Sequence, residues 1–159
     1  MSADAAPHVI PPPDIRRVTA ALVRPLRQQV LRPHLPFEYN VYLGDDDRDT
    51  YHAAAYHADR VVGSATAIHQ PLPHEANPLA WRLRGVTTLP EVRGYGYGRA
   101  LVLTSLAYVR SQGANYLWFY ANIPAIGFYE RLGFQQHPTL NDGHISDPPH
   151  PLMWCTISN

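Results

Sequence analysis

The sequence contains no lysine: all thirteen of its basic residues are arginine. It has one cysteine, Cys155, a formal net charge of zero at pH 7, and no apolar run of bilayer-spanning length. Each shortage excludes something. A lone cysteine rules out an internal disulfide framework. The neutral balance argues against a nucleic-acid face and a polybasic membrane anchor. Without lysine, the Gly-Lys-Ser/Thr end of a P-loop cannot be built. Residues 1–14 are rich in proline and alanine and hold no apolar signal core, so the expected setting is cytoplasmic. The length of 159 residues suits one domain. That domain is expected over residues 14–159, behind a flexible arm at residues 1–13. Nine histidines are present, but none shows H-E-x-x-H or Cys/His zinc spacing, so no metal is expected.

What the chain does have is Val92-Arg93-Gly94-Tyr95-Gly96-Tyr97-Gly98-Arg99, followed by an apolar run through Leu106 and Val109. The glycines allow a sharp bend and close approach to main-chain N–H groups. A helix over residues 98–112 aims its unpaired N–H groups and its dipole back at that bend, which makes an anion site suited to pyrophosphate. A dinucleotide fingerprint does not fit: the third glycine comes one residue early and no acidic strand end follows about 20 residues on.

Around this loop the pattern is α/β. A short strand at residues 15–18 leads into a helix to residue 30, which Thr19 is placed to cap and Pro25 to kink or divide. Asp45-Asp46-Asp47-Arg48-Asp49 lacks the glycine and glutamate of a calcium loop and reads as a solvated acidic turn. Residues 51–57 and 61–68 read as strands joined by a hairpin at Ala58-Asp59-Arg60. Residues 81–89 alternate until Gly85, where the phase slips. A glycine at a phase slip suggests a β-bulge, which leaves backbone groups of Val86, Thr87 and Thr88 unpaired and open to a ligand. Tyr116-Leu117-Trp118-Phe119-Tyr120 fits a central strand covered on both faces. In the following segment Ala125, Phe128, Tyr129 and Leu132 lie on one helical face. A loop at residues 137–150 then precedes a last strand at 151–157.

Arg93, Gly96 and Gly98 match Arg/Gln-x-x-Gly-x-Gly/Ala, which resembles the acetyl-CoA pyrophosphate loop of the GNAT N-acyltransferase superfamily. Asn122-Ile123-Pro124-Ala125-Ile126-Gly127-Phe128-Tyr129-Glu130-Arg131-Leu132-Gly133-Phe134 is similar to that family's second motif, and the two occur in the family's order. The resemblance covers residues 51–134 well and the ends loosely. It implies a mixed, mostly antiparallel sheet splayed between the fourth and fifth strands, with helices on both faces. The function implied is acetyl transfer from acetyl-CoA to the amine of a small molecule or peptide, by direct attack on the thioester. A non-catalytic acyl-CoA sensor is the rival reading. Homodimers through the sheet or terminal strands are common in the family.

The resemblance also implies roles. The loop amides from Gly94 and Tyr95 through Gly96, Tyr97 and Gly98 to Arg99, with the Arg93 and Arg99 charges, would hold the pyrophosphate. Backbone groups of Val86, Thr87 and Thr88 would hold the pantetheine arm and thioester carbonyl, and Asn122 would bond the same arm. Tyr129 stands where the family often has a tyrosine near the sulfur, acting as general acid. Several members carry a glutamate base on the fourth strand; here its polar positions are Arg82 and Arg84. His69, Glu75 and Glu91 are the substitutes considered, beside a water chain or an acceptor amine already neutral. Arg82 and Arg84 share a face, which reads as a solvated sheet surface, with a contact to an anionic acceptor group as the alternative. The 137–150 loop is placed to shape the acceptor pocket.

Overall fold

The computed structural model describes residues 10–143 and 145–158. Seven strands form one sheet in the order β1-β2-β3-β4-β5-β7-β6. They are β1 (Asp14–Val18), β2 (Tyr51–His57), β3 (Arg60–His69), β4 (Ala80–Thr88), β5 (Tyr116–Tyr120), β6 (Gln135–Asn141) and β7 (Pro151–Thr156). Every pairing is antiparallel except β4 with β5. Among the described residues the α-helices are α1 (Ala20–Val30), α2 (Tyr97–Ser111) and α3 (Ile126–Arg131). Among the described residues no helix is long and apolar enough to cross a membrane.

The β4–β5 pairing sets up the site. It holds only at Ala80↔Tyr116, Trp81↔Leu117 and Arg82↔Trp118. Beyond Arg82 the two strands part, and the β5 side of β4 runs to Thr88 without a strand partner. The expected bulge lies in this stretch. Ser64 pairs Thr87 and Thr66 pairs Arg84, so Gly85 and Val86 together oppose Ala65. Gly85 takes φ +61°, where a side chain is strained.

Helices cover both faces. On one, the fully buried alanines Ala53, Ala55, Ala65 and Ala67 meet Leu101, Val102 and Val109 of α2 in the main core. Small side chains let the helix approach closely, and each fully buried Leu or Val stabilises by about 1.5–3 kcal/mol. On the other face Arg27 of α1 donates to Thr66 Oγ1 at 2.7 Å. Strand β5 is covered on both sides: Leu117 and Phe119 enter the main core, while Trp118 packs with Leu72, Ala80 and Leu152.

Several expectations need correction. Helix α1 runs unbroken through Pro25, because Val23, Leu26 and Arg27 are anchored by burial on the sheet, and Thr19 makes no side-chain cap. The acidic turn is not wholly solvated. Asp45 is buried and bonds the fully buried Arg27 at 2.7 and 3.0 Å, whereas the Asp46 side chain is 83% exposed. Residues 135–141, read mostly as loop, form edge strand β6. Of the expected arm, residues 1–9 lie outside the described residues. Residues 10–13 are held: Ile10 packs on the core and the Pro11 carbonyl accepts the Tyr97 hydroxyl.

Candidate functional site

A cavity of about 930 Å³ runs through the gap between β4 and β5, lined by residues from both faces of the sheet. At one end stands the glycine turn. Gly94 and Gly96 take φ +84° and +85°, yet a Cβ on either meets nothing within 4 Å. Glycine is required there by conformation rather than by crowding, and the space before the turn is open. Ala100 N–H is the first to bond within the helix turn, to the Gly96 carbonyl at 3.0 Å. The N–H groups of Tyr97, Gly98 and Arg99 precede it and have no intrahelical acceptor. The cavity there is lined by Gly94, Gly96, Tyr97, Gly98 and Arg99, an arrangement suited to an anion.

The structure sorts the residues singled out from the sequence. Val86, Thr87, Thr88, Arg93, Gly94, Gly96, Tyr97, Gly98, Arg99, Asn122 and Tyr129 all line the cavity. Tyr95 does not, and its amide donates to the Val92 carbonyl at 3.4 Å. Tyr97 offers only its amide, since its ring is buried and its hydroxyl donates to Pro11 at 3.0 Å. The Thr87 hydroxyl is likewise engaged, with Ser64 Oγ at 2.7 Å, leaving its backbone. Arg93 donates to the Thr88 carbonyl at 3.2 Å and so ties the turn to the end of β4. Asn122 precedes a 3-10 turn at Ile123–Ala125 without capping it through its side chain, so its amide is free to meet a ligand.

Tyr129 is buried among Phe119, Phe128 and Phe134, with ring centroids 4.3, 5.0 and 6.0 Å away. Burial in this aromatic nest pushes its phenol pKa up, so it keeps its proton at neutral pH. It can donate a hydrogen bond but is a weaker acid than a phenol in water.

The proposed bases are elsewhere. His69 stacks on Trp81 at 4.9 Å, bonds Asp49 at 3.2 Å and does not line the cavity. Glu91 pairs with Arg60, and neither it nor Glu75 lines the cavity. The group sequence reasoning missed is Asp142 with His150. Asp142 is buried; it accepts the His150 main-chain N–H at 2.9 Å, and its second oxygen lies 3.8 Å from His150 Nδ1. Both line the cavity, together with Ile145 and Ser146 of the 137–150 loop. The only signal was that loop's wealth of histidine, which does not single out His150.

The end of the cavity away from the glycine turn is walled by Arg32, Tyr39, Tyr42, Arg82, Arg84 and Tyr120. Arg82 and Arg84 are therefore not a solvated sheet face: both are half-buried. Among the described residues no group of three or more His, Cys, Asp or Glu is placed to hold a metal ion.

Comparison with known proteins agrees with this geometry. A sequence model described as the acetyltransferase (GNAT) family matches residues 17–134. An uncharacterized N-acetyltransferase of Bacillus subtilis, YitI, is 24% identical over 123 residues, covering 77% of this chain and 83% of that protein. Glucosamine 6-phosphate N-acetyltransferase of Trypanosoma brucei brucei is 32% identical over 78 residues, and the match spans 49% of this chain and about half, 53%, of that enzyme. Among solved structures, an aminoglycoside 6'-N-acetyltransferase complexed with coenzyme A superposes with a TM-score of 0.73 at 17% identity, covering 92% of this chain and 98% of that one.

Proposed function

Given that the chain belongs to the acetyltransferase (GNAT) family and is an N-acetyltransferase, we propose that it moves the acetyl group of acetyl-CoA to the amine of a small molecule or peptide by direct attack on the thioester. The observation that carries this is one cavity joining an anion cradle, an unpaired strand edge and a protonated phenol. The amides of Tyr97, Gly98 and Arg99 bind the pyrophosphate, with Arg93 and Arg99 adding charge. Tyr95 has no part in this. Backbone groups of Val86 to Thr88, beyond the point where β5 leaves β4, hold the pantetheine arm and polarise the carbonyl where negative charge develops. The free Asn122 amide bonds the same arm.

Tyr129 donates to the departing thiolate. In water a phenol at about 10 and a thiol at about 8.5 make that transfer uphill by ~2 kcal/mol. Burial raises the phenol further, but the same desolvation disfavours the thiolate formed beside it, so the two effects offset. The attacking amine must lose a proton. His150, which lines the cavity with its Nδ1 3.8 Å from the Asp142 carboxylate, takes it.

The test is acetyl-CoA-dependent thiol release over an amine panel. The protein's own thiol adds little background: burial pushes Cys155 up to about 11. Wild type should turn over at least one amine. Tyr129→Phe and His150→Gln should each lower kcat by roughly 10²–10⁴-fold. Tight acetyl-CoA binding with no turnover on any amine would give the chain to the sensor reading instead.

A further inference from the structure

Arg82 and Arg84 point the same way from β4, pairing with Ile68 and Thr66 on the α1 face. Among the described residues neither makes a hydrogen bond or an ion pair, and Arg82 Nε is buried without any partner. Both instead lie over aromatic rings. The Arg82 guanidinium lies 4.9 Å from the Trp118 ring and 5.3 Å from Tyr120; that of Arg84 lies 3.9 Å from Tyr42. The opposite situation holds for their neighbour Arg27, 3.8 Å from Tyr42, whose charge is met by Asp45. Arg24 shares that same carboxylate, so Asp45 is fully committed.

Two guanidiniums held near each other, half out of water and without a counter-charge, are costly. Burial, with the Arg84 charge next, lowers Arg82 to about 10, and burial lowers Arg84 as well. As guanidiniums both nonetheless stay cationic at neutral pH. With rings beside them and no acceptor, their N–H donors are the unsatisfied groups, and a guanidinium fork matches carboxylate or phosphate oxygens two at a time. The donor's pyrophosphate has its own cradle at the other end of the cavity.

We propose that the acceptor is an amine that also carries an anionic group, a carboxylate or a phosphate ester, and that Arg82 and Arg84 bind that group while the amine faces the donor. This rests on the acetyl-transfer reading above and names its substrate class. Asp142 and His150 line the same cavity, so an acceptor bearing both charges finds the complement of each.

The experiment compares acceptors differing only in the anion: α-amino acids against their amides, and glucosamine 6-phosphate against glucosamine. Rates are read by thiol release at saturating acetyl-CoA. The anionic member of at least one series should show a kcat/KM higher by about tenfold to hundredfold, the discrimination one charge-assisted bidentate contact provides. The series that shows it tells carboxylate from phosphate. Arg82→Gln and Arg84→Gln should each erase that preference through KM, while the thermal shift produced by acetyl-CoA is retained. Neutral amines used as well as their anionic partners would overturn the proposal and leave acetyl transfer standing. Loss of acetyl-CoA affinity in the two variants would overturn it as well, by giving the arginines to the donor's phosphates.

Discussion

Replacing Asp45 by asparagine removes one charge from the most buried ionic contact among the described residues. The Arg27 side chain is 0% exposed and that of Asp45 1%, and the two are joined by bonds of 2.7 and 3.0 Å. Arg27 also donates to the Asn40 carbonyl at 2.9 Å and to Thr66 Oγ1 at 2.7 Å. Asp45 accepts the Tyr42 amide at 3.1 Å. In Asp45→Asn the guanidinium keeps its neutral partners but loses its counter-charge, and one acceptor oxygen becomes a donor facing a donor. Breaking a buried pair from one side costs about 3–5 kcal/mol. At ~2–4 °C per kcal/mol for a chain of this size, the melting temperature should fall by roughly 6–20 °C. Urea unfolding should show a lower midpoint with an unchanged m-value. Asp46→Asn, at a side chain 83% exposed, is the control and should leave the midpoint where it was. A fall in Asp45→Asn no larger than in the control would refute the reasoning, because the pair would then behave as a surface contact.

The same network makes stability depend on pH. His52 Nε2–H donates to the Asp45 carbonyl and its Nδ1 accepts from Thr66, whose oxygen in turn accepts from Arg27. Burial lowers the His52 pKa from its ordinary 6.5, so the folded state binds fewer protons than the unfolded one. Stability should be full above pH ~6.5 and decline below it towards the depressed folded value, a slope absent in His52→Gln. For Asp45, burial alone would raise the pKa, but the Arg27 bond and charge outweigh it and the net shift is downward. A second loss should follow as pH falls below ~3.9, absent in Asp45→Asn. A melting temperature constant from pH 7 to 5 would contradict the His52 account. Gly96→Val, at φ +85° with open space before it, should lose about 1–3 kcal/mol of stability and its response to acetyl-CoA. An acetyl-CoA response equal to wild type would remove that turn from the donor site.

Most of the sheet was legible because its strands announce themselves locally. Tyr51–His57 and Tyr116–Tyr120 have the bounds their apolar patterns give, and the phase slip at Gly85 marks the bulge that opens β4. The glycine turn was legible for the same reason: glycines at positive φ followed by a helix form a contiguous device. The far end of the cavity and the buried ion pair beneath it were not, because their parts are far apart in sequence. Nothing local distinguishes Asp45 from Asp46 or Asp47. Only the placement of Arg27, eighteen positions earlier on α1, decides which of them is buried. Strand β6 is mostly exposed and paired irregularly, so it carries no apolar alternation to read. Asp142 and His150 meet across eight positions of a proline-rich loop whose path no periodicity reports.

The central claim is that the cavity's glycine end binds acetyl-CoA, and a thermal-shift titration tests it most directly. Acetyl-CoA, CoA, ATP and NAD would each be titrated against wild type and the Arg93→Ala/Gly96→Val double variant. At a hundred times its dissociation constant a ligand stabilises by about 2.7 kcal/mol, a shift of roughly 5–11 °C for this chain. The account predicts that shift with acetyl-CoA, a response to CoA, none to ATP or NAD at matched concentration, and its loss in the double variant. Equal shifts with ATP or NAD, or no shift with acetyl-CoA at any concentration, would contradict it.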